Sequence, residues 1–165
     1  MNNRILLVDD EVNILNSYKR TLKNKFTFDV ARSGAEALEL IINNKYAVII
    51  TDMQMPIMNG LELLQEIKLK TPNTVRMMLT GNADQKTAID ALNIGDIFRF
   101  INKPCANKDL AIAIETGIKQ YNLIIAEKVL LNKTLKGTIP ARRKFFKAAA
   151  ATGAVAAATL AMPNI

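Results

Sequence analysis

The sequence VIITDMQMPIMNG, residues 48–60, indicates how the chain is built. It begins with an uninterrupted apolar run, which is typical of a strand buried on both faces of a sheet. Asp52 follows almost at once, and Pro56 and Asn59-Gly60 predict a turn before the next helix. A carboxylate at that point would lie at the carboxyl end of a strand, where open α/β sheets bind their ligands.

The first 120 residues repeat this alternation of apolar runs and amphipathic segments. The predicted strands cover residues 5–8, 26–31, 46–51, 74–80 and 97–101. The predicted helices cover residues 11–24, a segment after Ser33-Gly34 with Ala37, Leu38, Ile41 and Ile42 facing inward, residues 61–69, residues 83–92, and a long segment from near Ala106. Five strands alternating with five helices favour an α/β fold, a doubly wound parallel sheet with helices on both faces. The first, third and fourth strands are the most apolar, which predicts that they are central.

The composition excludes several kinds of chemistry. The 165 residues contain no histidine and one cysteine, Cys105. These counts exclude histidine metal ligands, an imidazole general base, an internal disulfide and a thiolate metal cluster. A lone cysteine suits a reducing compartment, and residues 1–25 contain no long apolar signal segment, so we expect a cytoplasmic location.

The net charge of +7 is concentrated in the last 45 residues. Residues 1–120 contain 15 Lys/Arg and 14 Asp/Glu, whereas residues 121–165 contain 7 Lys/Arg and 1 Asp/Glu. The first region is therefore nearly neutral and predicts no broad phosphate-binding face, so we expect no nucleic-acid partner.

Polar residues end or follow four of the five predicted strands. They are Asp9-Asp10, Asp52, Thr80 and Lys103. Because the carboxyl ends of parallel strands share one edge, we expect these side chains to meet there. Three clustered carboxylates need compensating positive charge, which Lys103 and a divalent ion would supply, and an all-oxygen site suits Mg²⁺. A polar strand end explains any one of these residues, but not easily all of them.

Four segments resemble the signature blocks of the response regulator receiver domain of bacterial two-component systems. They are ILLVDDE, VIITDMQMPIMNG, MMLTG and FINKP, and their order and spacing agree with that family over residues 4–120. The segment GDIFRFINKP is similar to receivers that precede HD-GYP-type phosphodiesterase domains. The resemblance implies a flavodoxin-like sheet of strand order 2-1-3-4-5, followed here by an extended C-terminal helix.

The resemblance also implies a phosphoacceptor and a Mg²⁺ site. Asp52 would take a phosphoryl group from a sensor histidine kinase or a phosphotransfer protein. Asp10 would bind Mg²⁺ directly, Asp9 mainly through water, and Asp52 and the backbone carbonyl of Gln54 would complete the protein ligands. The chain would then be a phosphorylated switch rather than an enzyme, since its only reactions would be phosphorylation and autodephosphorylation at Asp52.

Three further residues receive roles from the resemblance. Lys103 would pair with the phosphoryl oxygens, and its bond to Pro104 would be cis, which is a cheap isomer before proline. The Thr80 hydroxyl would move to bond the phosphate, and Phe100 would turn inward with it. The alternatives are an ordinary strand end for Thr80 and an ordinary core residue for Phe100.

An apolar stripe continues along the helix beyond Asn107. Its residues are Leu110, Ile114, Ile118, Tyr121, Ile125 and Val129, at spacings of three and four. We therefore predict a receiver domain over residues 1–120, a helical extension over 121–138, and a basic, alanine-rich tail over 139–165 that is helical or disordered. The extension is a candidate for homodimerisation, and an isolated amphipathic linker is the alternative.

The tail contains RRKFFK at residues 142–147, which resembles a twin-arginine export signal. The apolar run that follows, 148–162, is shorter than the roughly 20 residues that a membrane-spanning helix needs. A join between two genes, a weak membrane-surface helix and a disordered basic tail all remain open. We favour a remnant or join, so a membrane role is not expected.

Other functional classes fit less well. A phosphatase of the haloacid dehalogenase type needs a second acid two residues after its nucleophile, where this chain has Gln54. A transcription factor needs a helix-turn-helix domain after residue 120. The 45 residues there predict one long helix and an alanine-rich tail instead. A pseudo-receiver, or a truncated HD-GYP-type regulator acting only as an interaction module, is the remaining alternative. The downstream partner is not predicted.

Overall fold

The computed structural model describes residues 3–81 and 96–151, with side chains as far as residue 136. The strands are β1 (Ile5–Val8), β2 (Phe28–Ala31), β3 (Val48–Asp52), β4 (Val75–Thr80) and β5 (Arg99–Asn102). The helices are α1 (Val12–Leu22), α2 (Gly34–Asn43), α3 (Gly60–Lys70) and α4 (Asn107–Ala151). The helix predicted over residues 83–92 lies outside the described residues.

The five strands form one parallel sheet in the order β2-β1-β3-β4-β5. This order confirms the predicted doubly wound, flavodoxin-like fold, with β1, β3 and β4 in the interior of the sheet. All residues of these three strands are buried, as their continuous apolar sequences predict.

Alternate residues of each strand enter two separate hydrophobic cores. Ile5 and Leu7 belong to the core that includes residues of α1 and α4. Leu6 and Val8 belong to the other, which includes residues of α2 and α3. This period-two alternation explains why a run of consecutive apolar residues is needed when helices cover both faces of a sheet.

Some predicted details were wrong at the ends and faces of elements. β2 begins at Phe28 rather than at residue 26, and β5 covers 99–102 rather than 97–101. Ile42 was predicted to face inward, but its exposed fraction is 75%, whereas Ile41 is buried. Successive residues of a helix point about 100° apart, so adjacent isoleucines cannot both face the middle of the same core.

The chain divides into two compact units, residues 1–124 and 125–165. The backbone of α4 is helical to Ala151, so helical structure continues into the segment predicted as an alanine-rich tail. Within the part of the chain that is described, no helix combines the length and apolar character needed to cross a bilayer.

Candidate functional site

The carboxyl edge of the sheet brings the predicted polar residues together. Asp9 follows β1, Asp52 and Thr80 are the last residues of β3 and β4, and Lys103 follows β5. Backbone hydrogen bonds continue the ladder past the strand ends: Lys103 N donates to the Thr80 carbonyl at 2.8 Å, and Asp9 N donates to the Ala31 carbonyl at 3.1 Å. The main chain therefore holds these residues at neighbouring positions on one edge.

Three carboxylates form a cluster at this edge. One oxygen from each of Asp9, Asp10 and Asp52 lies within 4.8 Å of the others. Lys103 Nζ lies 2.9 Å from Asp52 Oδ1 and 3.0 Å from Asp9 Oδ2. One ammonium thus bridges two buried carboxylates that would otherwise repel each other.

Asp9 and Asp10 differ in how free their oxygens are. Both oxygens of the buried Asp9 are engaged, because Oδ1 accepts a hydrogen bond from Glu11 N at 2.9 Å and Oδ2 binds Lys103. Asp10 is exposed to solvent. Of these two carboxylates, Asp10 is the one that can turn an oxygen towards a ligand without breaking these bonds.

Burial and charge shift the pKa of both partners at the centre of the site. Burial raises the pKa of Asp52, and the neighbouring Asp9 and Asp10 add to this rise against the opposing effect of Lys103. Burial alone would lower the pKa of Lys103, but its bonds to Asp52 and Asp9 prevail and raise it. Lys103 therefore stays protonated, and additional positive charge would favour ionised Asp52.

The donor set fits a small divalent cation. With three carboxylates and one ammonium, the ionised cluster carries a net charge of −2, and all of its candidate ligand atoms are oxygens. Hard divalent ions such as Mg²⁺ take such ligands and retain water in their remaining positions. The exposure of Asp10 leaves room for that water.

The loop after Asp52 is tightly closed. Gly60 N donates to the Met53 carbonyl at 2.9 Å. A Cβ atom at Gly60 would lie 2.2 Å from the Asp52 carbonyl oxygen, so only glycine permits this approach. Asn59 then caps α3 in a reciprocal capping box with Glu62. The local sequence therefore holds the start of α3 directly against the backbone of Asp52.

The proposed moving parts occupy different environments. Thr80 is buried, with an exposed fraction of 1%. Phe100 is half-buried and packs against the core that includes α2 and α3. Gln54, whose backbone carbonyl is a predicted Mg²⁺ ligand, is exposed. The Lys103-Pro104 bond is cis, as the family resemblance implies.

A groove runs beside Lys103. It is lined by Ile14, Ser17, Tyr18, Lys103, Pro104, Cys105 and Asn107. Burial raises the pKa of the Cys105 thiol, and the nearby Asp109 adds to the rise. The thiol is therefore less acidic than a free cysteine, which supports a space-filling role rather than a reactive one.

The comparisons with known proteins agree with this geometry. The family model described as the response regulator receiver domain matches residues 5–115. The chain belongs to the response regulator receiver family. Receiver domains are generally non-enzymatic phosphoacceptors, and this chain is a receiver of the two-component phosphorelay class.

Similar proteins include solved chains that the match covers almost completely and longer regulators that it covers in part. A crystal structure of an adenylate cyclase from Rhodopirellula baltica is 48% identical, covering 81% of this chain and 99% of that chain, with a TM-score of 0.78. The receiver domain of an HD domain-containing protein from Pseudomonas fluorescens is 31% identical, covering 74% and 98%, with a TM-score of 0.70. The response regulator PilR from Pseudomonas aeruginosa is 33% identical over 84% of this chain. The receiver spans about a quarter to a third of the length of the first curated relatives that it matches.

Sequence reasoning missed two features of the site. The bond between Lys103 and Asp9 was not predicted, because it depends on two strands that are not neighbours in the sheet. The conformation of Ile57 was also missed: its φ is 70°, and its side chain is fully exposed. Its place between Pro56 and Asn59-Gly60 was the only available signal, since such turns often contain a residue with positive φ.

Proposed function

We propose that Asp52 is the phosphoacceptor of this receiver and that a phosphohistidine in a sensor kinase or phosphotransfer protein is the donor. One observation carries the proposal: Asp52 ends a central strand within a three-carboxylate cluster, and its carboxylate contacts a fixed ammonium at 2.9 Å. Positioning and electrostatic stabilisation are the main requirements of phosphoryl transfer.

The transfer exchanges one bond for another. A carboxylate oxygen of Asp52 forms a bond to phosphorus while the bond between phosphorus and the donor imidazole nitrogen breaks. The imidazole leaves with the electron pair and takes up a proton from solvent. Mg²⁺ held by Asp10, Asp52 and the Gln54 carbonyl, with Asp9 acting through water, would supply positive charge for the phosphoryl oxygens. Lys103 can exchange its contact with Asp52 for one with the phosphoryl group while keeping its contact with Asp9.

The added phosphoryl group is the signal. It brings nearly two negative charges and several strong acceptors to the sheet edge. Asp52 pairs with Leu79 of the adjacent strand β4, and Thr80 is the next residue, so its hydroxyl would donate to that group. Inward movement of the half-buried Phe100 would then change the surface near β5. An unidentified downstream protein or a second copy of the chain would read this change.

Intact mass spectrometry after incubation with acetyl phosphate and MgCl₂ tests the phosphoacceptor. We expect one added phosphoryl group on the wild type and none on Asp52→Asn, with chelation by EDTA preventing the addition. Asp109→Asn, in the first turn of α4, is the control and should gain the group. A wild type that gains none, or an Asp52→Asn protein that gains it equally, would contradict the proposal and favour the pseudo-receiver or truncated-regulator alternative.

We also propose that the C-terminal helix forms a homodimer. In the second unit, Leu130, Leu131 and Leu135 are 65, 58 and 55% exposed. Leu131 and Leu135 lie one turn apart and therefore share a side of the helix, as residues of a helix-helix seam do. A second copy of the same helix would cover them with matching apolar surface.

Sedimentation of the full chain tests this pairing. The wild type should sediment as a dimer at micromolar concentration, whereas the Leu131→Glu/Leu135→Glu double variant should be monomeric. Lys133→Glu changes a charge in the same exposed stretch but lies two residues from each leucine, on the other side of the helix, and should remain dimeric. A monomeric wild type would leave the isolated linker as the better interpretation.

A cytoplasmic location and the role of the RRKFFK segment, whose side chains lie outside the described part of the chain, remain predictions.

A further inference from the structure

Ile57 has a backbone conformation that its residue type disfavours. Met58 N donates to the Pro56 carbonyl at 2.8 Å, so a three-residue turn closes around Ile57, whose φ is 70°. A γ-turn with positive φ is rare and strained, and a β-branched residue is a particular outlier in the left-handed region. Glycine or asparagine would form the same turn with less strain.

The side chain of Ile57 is also poorly placed for stability. It is fully exposed, although the neighbouring Met55 is buried and Met58 is half-buried. An apolar side chain in water contributes no burial energy to the fold. Neither the backbone nor the core of this domain therefore accounts for isoleucine at position 57.

The loop presents Ile57 beside the phosphoacceptor. Gly60 lies against the carbonyl of Asp52. Ile57 is three residues from Gly60, and three residues span at most about 11 Å, so Ile57 cannot lie farther than that from this contact. We therefore expect a protein that brings a phosphorylated side chain to Asp52 to pass close to this loop. Acetyl phosphate is small enough to enter without doing so.

We propose that Ile57 is a specificity-determining contact for the protein phosphodonor, and that it packs against an apolar surface next to the donor's phosphohistidine. The inference rests on the proposed phosphoacceptor role of Asp52 and names the chemistry of its partner. The tight turn, Pro56 and the cap at Asn59 hold the backbone of Ile57 in place before the donor arrives. A rigid apolar anchor loses little conformational freedom on binding, which is a property of residues that dominate interfaces.

Four proteins test the contact: the wild type, Ile57→Asn, Ile57→Leu and Ile42→Asn. Ile57→Asn removes the apolar contact while accepting positive φ, and Ile57→Leu keeps an apolar side chain. Ile42→Asn removes another exposed isoleucine, from the last turn of α2, which lies towards the opposite edge of the sheet. The probes are acetyl phosphate and the soluble cores of the histidine kinases encoded in the same genome, each autophosphorylated with radiolabelled ATP.

We expect Ile57→Asn to lower kcat/KM for transfer from the fastest kinase by about tenfold or more. Ile57→Leu and Ile42→Asn should stay within about threefold of the wild type, and all four proteins should accept phosphate from acetyl phosphate alike. The melting temperature of Ile57→Asn should rise by about 4 °C, because the strained turn is relieved. Loss of transfer in a more stable protein separates a contact role from a structural one.

The other outcomes overturn the inference in distinguishable ways. Unchanged kinase transfer to Ile57→Asn would show that the side chain is not a contact. Loss of acetyl phosphate labelling as well would show that Ile57 acts through the geometry of Asp52. Labelling of the wild type by acetyl phosphate but by none of the kinases would remove the protein donor and leave the phosphoacceptor proposal intact. Labelling by neither would overturn both.

Discussion

Lys103 is the residue on which the charge balance of the site depends. It bridges Asp9 and Asp52, whose side chains are 1 and 10% exposed, from a position 94 residues along the chain from Asp9. Removing one partner of a buried ion pair leaves the other charge without compensation. Here it would leave two ionised carboxylates facing each other.

We therefore expect Lys103→Met to lower the free energy of unfolding by about 2–3 kcal/mol in EDTA at pH 7. Millimolar MgCl₂ should restore part of the loss, since an ion bound only by the folded protein stabilises it. Urea unfolding measures both values. Lys108→Met, at an exposed position in α4, should change stability by less than about 0.5 kcal/mol. Equal stability of Lys103→Met and wild type in EDTA would show that the bridge does not stabilise the protein.

Gly60 is constrained by backbone rather than by side chains. We expect Gly60→Ala to lose about 2 kcal/mol or more of unfolding free energy, because its Cβ would collide with the Asp52 carbonyl. Labelling of Asp52 by acetyl phosphate should slow with it. At Gly34 an added Cβ would meet side-chain atoms rather than backbone, namely Met58 Sδ at 2.5 Å, Cγ at 3.0 Å and Cβ at 3.1 Å, so Met58 can shift and Gly34→Ala should lose less stability than Gly60→Ala. Chemical denaturation compares the two, and equal losses would contradict this distinction.

For individual residues, the sequence predicted which polar residues end the strands but not which of their side chains pair. Asp52 and Lys103 follow from apolar runs that stop at polar residues. The choice of Asp9 as the second partner of Lys103 depends on how far the side chain reaches across the sheet, which no local pattern contains. Ile57 was missed for a different reason, since sequence rules assign positive φ to glycine and asparagine.

Among the elements, the amino edge of the sheet has its own polar clamp. Arg4 Nε lies 2.7 Å from Asp29 Oδ2, and the Tyr46 hydroxyl donates to the same carboxylate at 2.6 Å. Arg4 precedes β1, Asp29 lies in the edge strand β2, and Tyr46 precedes β3. The clamp therefore ties the edge strand to two central ones.

The clamp predicts a pH dependence of stability. Burial would raise the pKa of Asp29, but the hydrogen bonds from Arg4 and Tyr46 outweigh it and lower the pKa below the ordinary value of 3.8. Between the folded and unfolded pKa values the unfolded chain binds more protons, so this stabilisation is present above the unfolded pKa and is lost as the pH falls through the folded one.

We expect Asp29→Asn to lose about 1 kcal/mol of unfolding free energy at pH 7, with the difference from wild type shrinking below pH 4. Urea midpoints measured from pH 7 down to pH 2.5 give the comparison. Glu39→Gln, an exposed position on α2, should track the wild type throughout. A difference that does not change with pH would show that packing, not ionisation, explains the loss.

Helical periodicity predicted the elements better than their faces. It placed α1, α2 and α3 because apolar residues recur at spacings of three and four residues. It could not decide between Ile41 and Ile42, because the outcome depends on how the helix is rotated against the sheet. The strand limits of β2 and β5 differ from the prediction because pairing with a neighbour, not propensity, decides where an edge strand begins.

For the whole molecule, the division at residue 124 predicts that the receiver is self-sufficient. A protein of residues 1–124 should melt cooperatively within about 3 °C of the full chain and accept phosphate from acetyl phosphate at the same rate. Calorimetry and intact mass measure these properties. The same protein should sediment as a monomer, and a dimer would place the contact outside the C-terminal helix.

The sequence was least informative about this second region. Its apolar stripe predicts a helix, and α4 is indeed helical to Ala151. Whether exposed leucines meet another chain depends on a surface that one sequence does not contain. The match to the family model extends only to residue 115.

Cys105 gives the molecule a chemical handle that needs no engineering. It is the only thiol in 165 residues, it is partly covered, and it lies two residues from Lys103 in the wall of the groove. Because burial and Asp109 raise the pKa of this thiol, a maleimide dye would attach more slowly than at a free cysteine, but at one known place beside the charge bridge. Its fluorescence would follow ion binding and phosphorylation in real time on the native sequence.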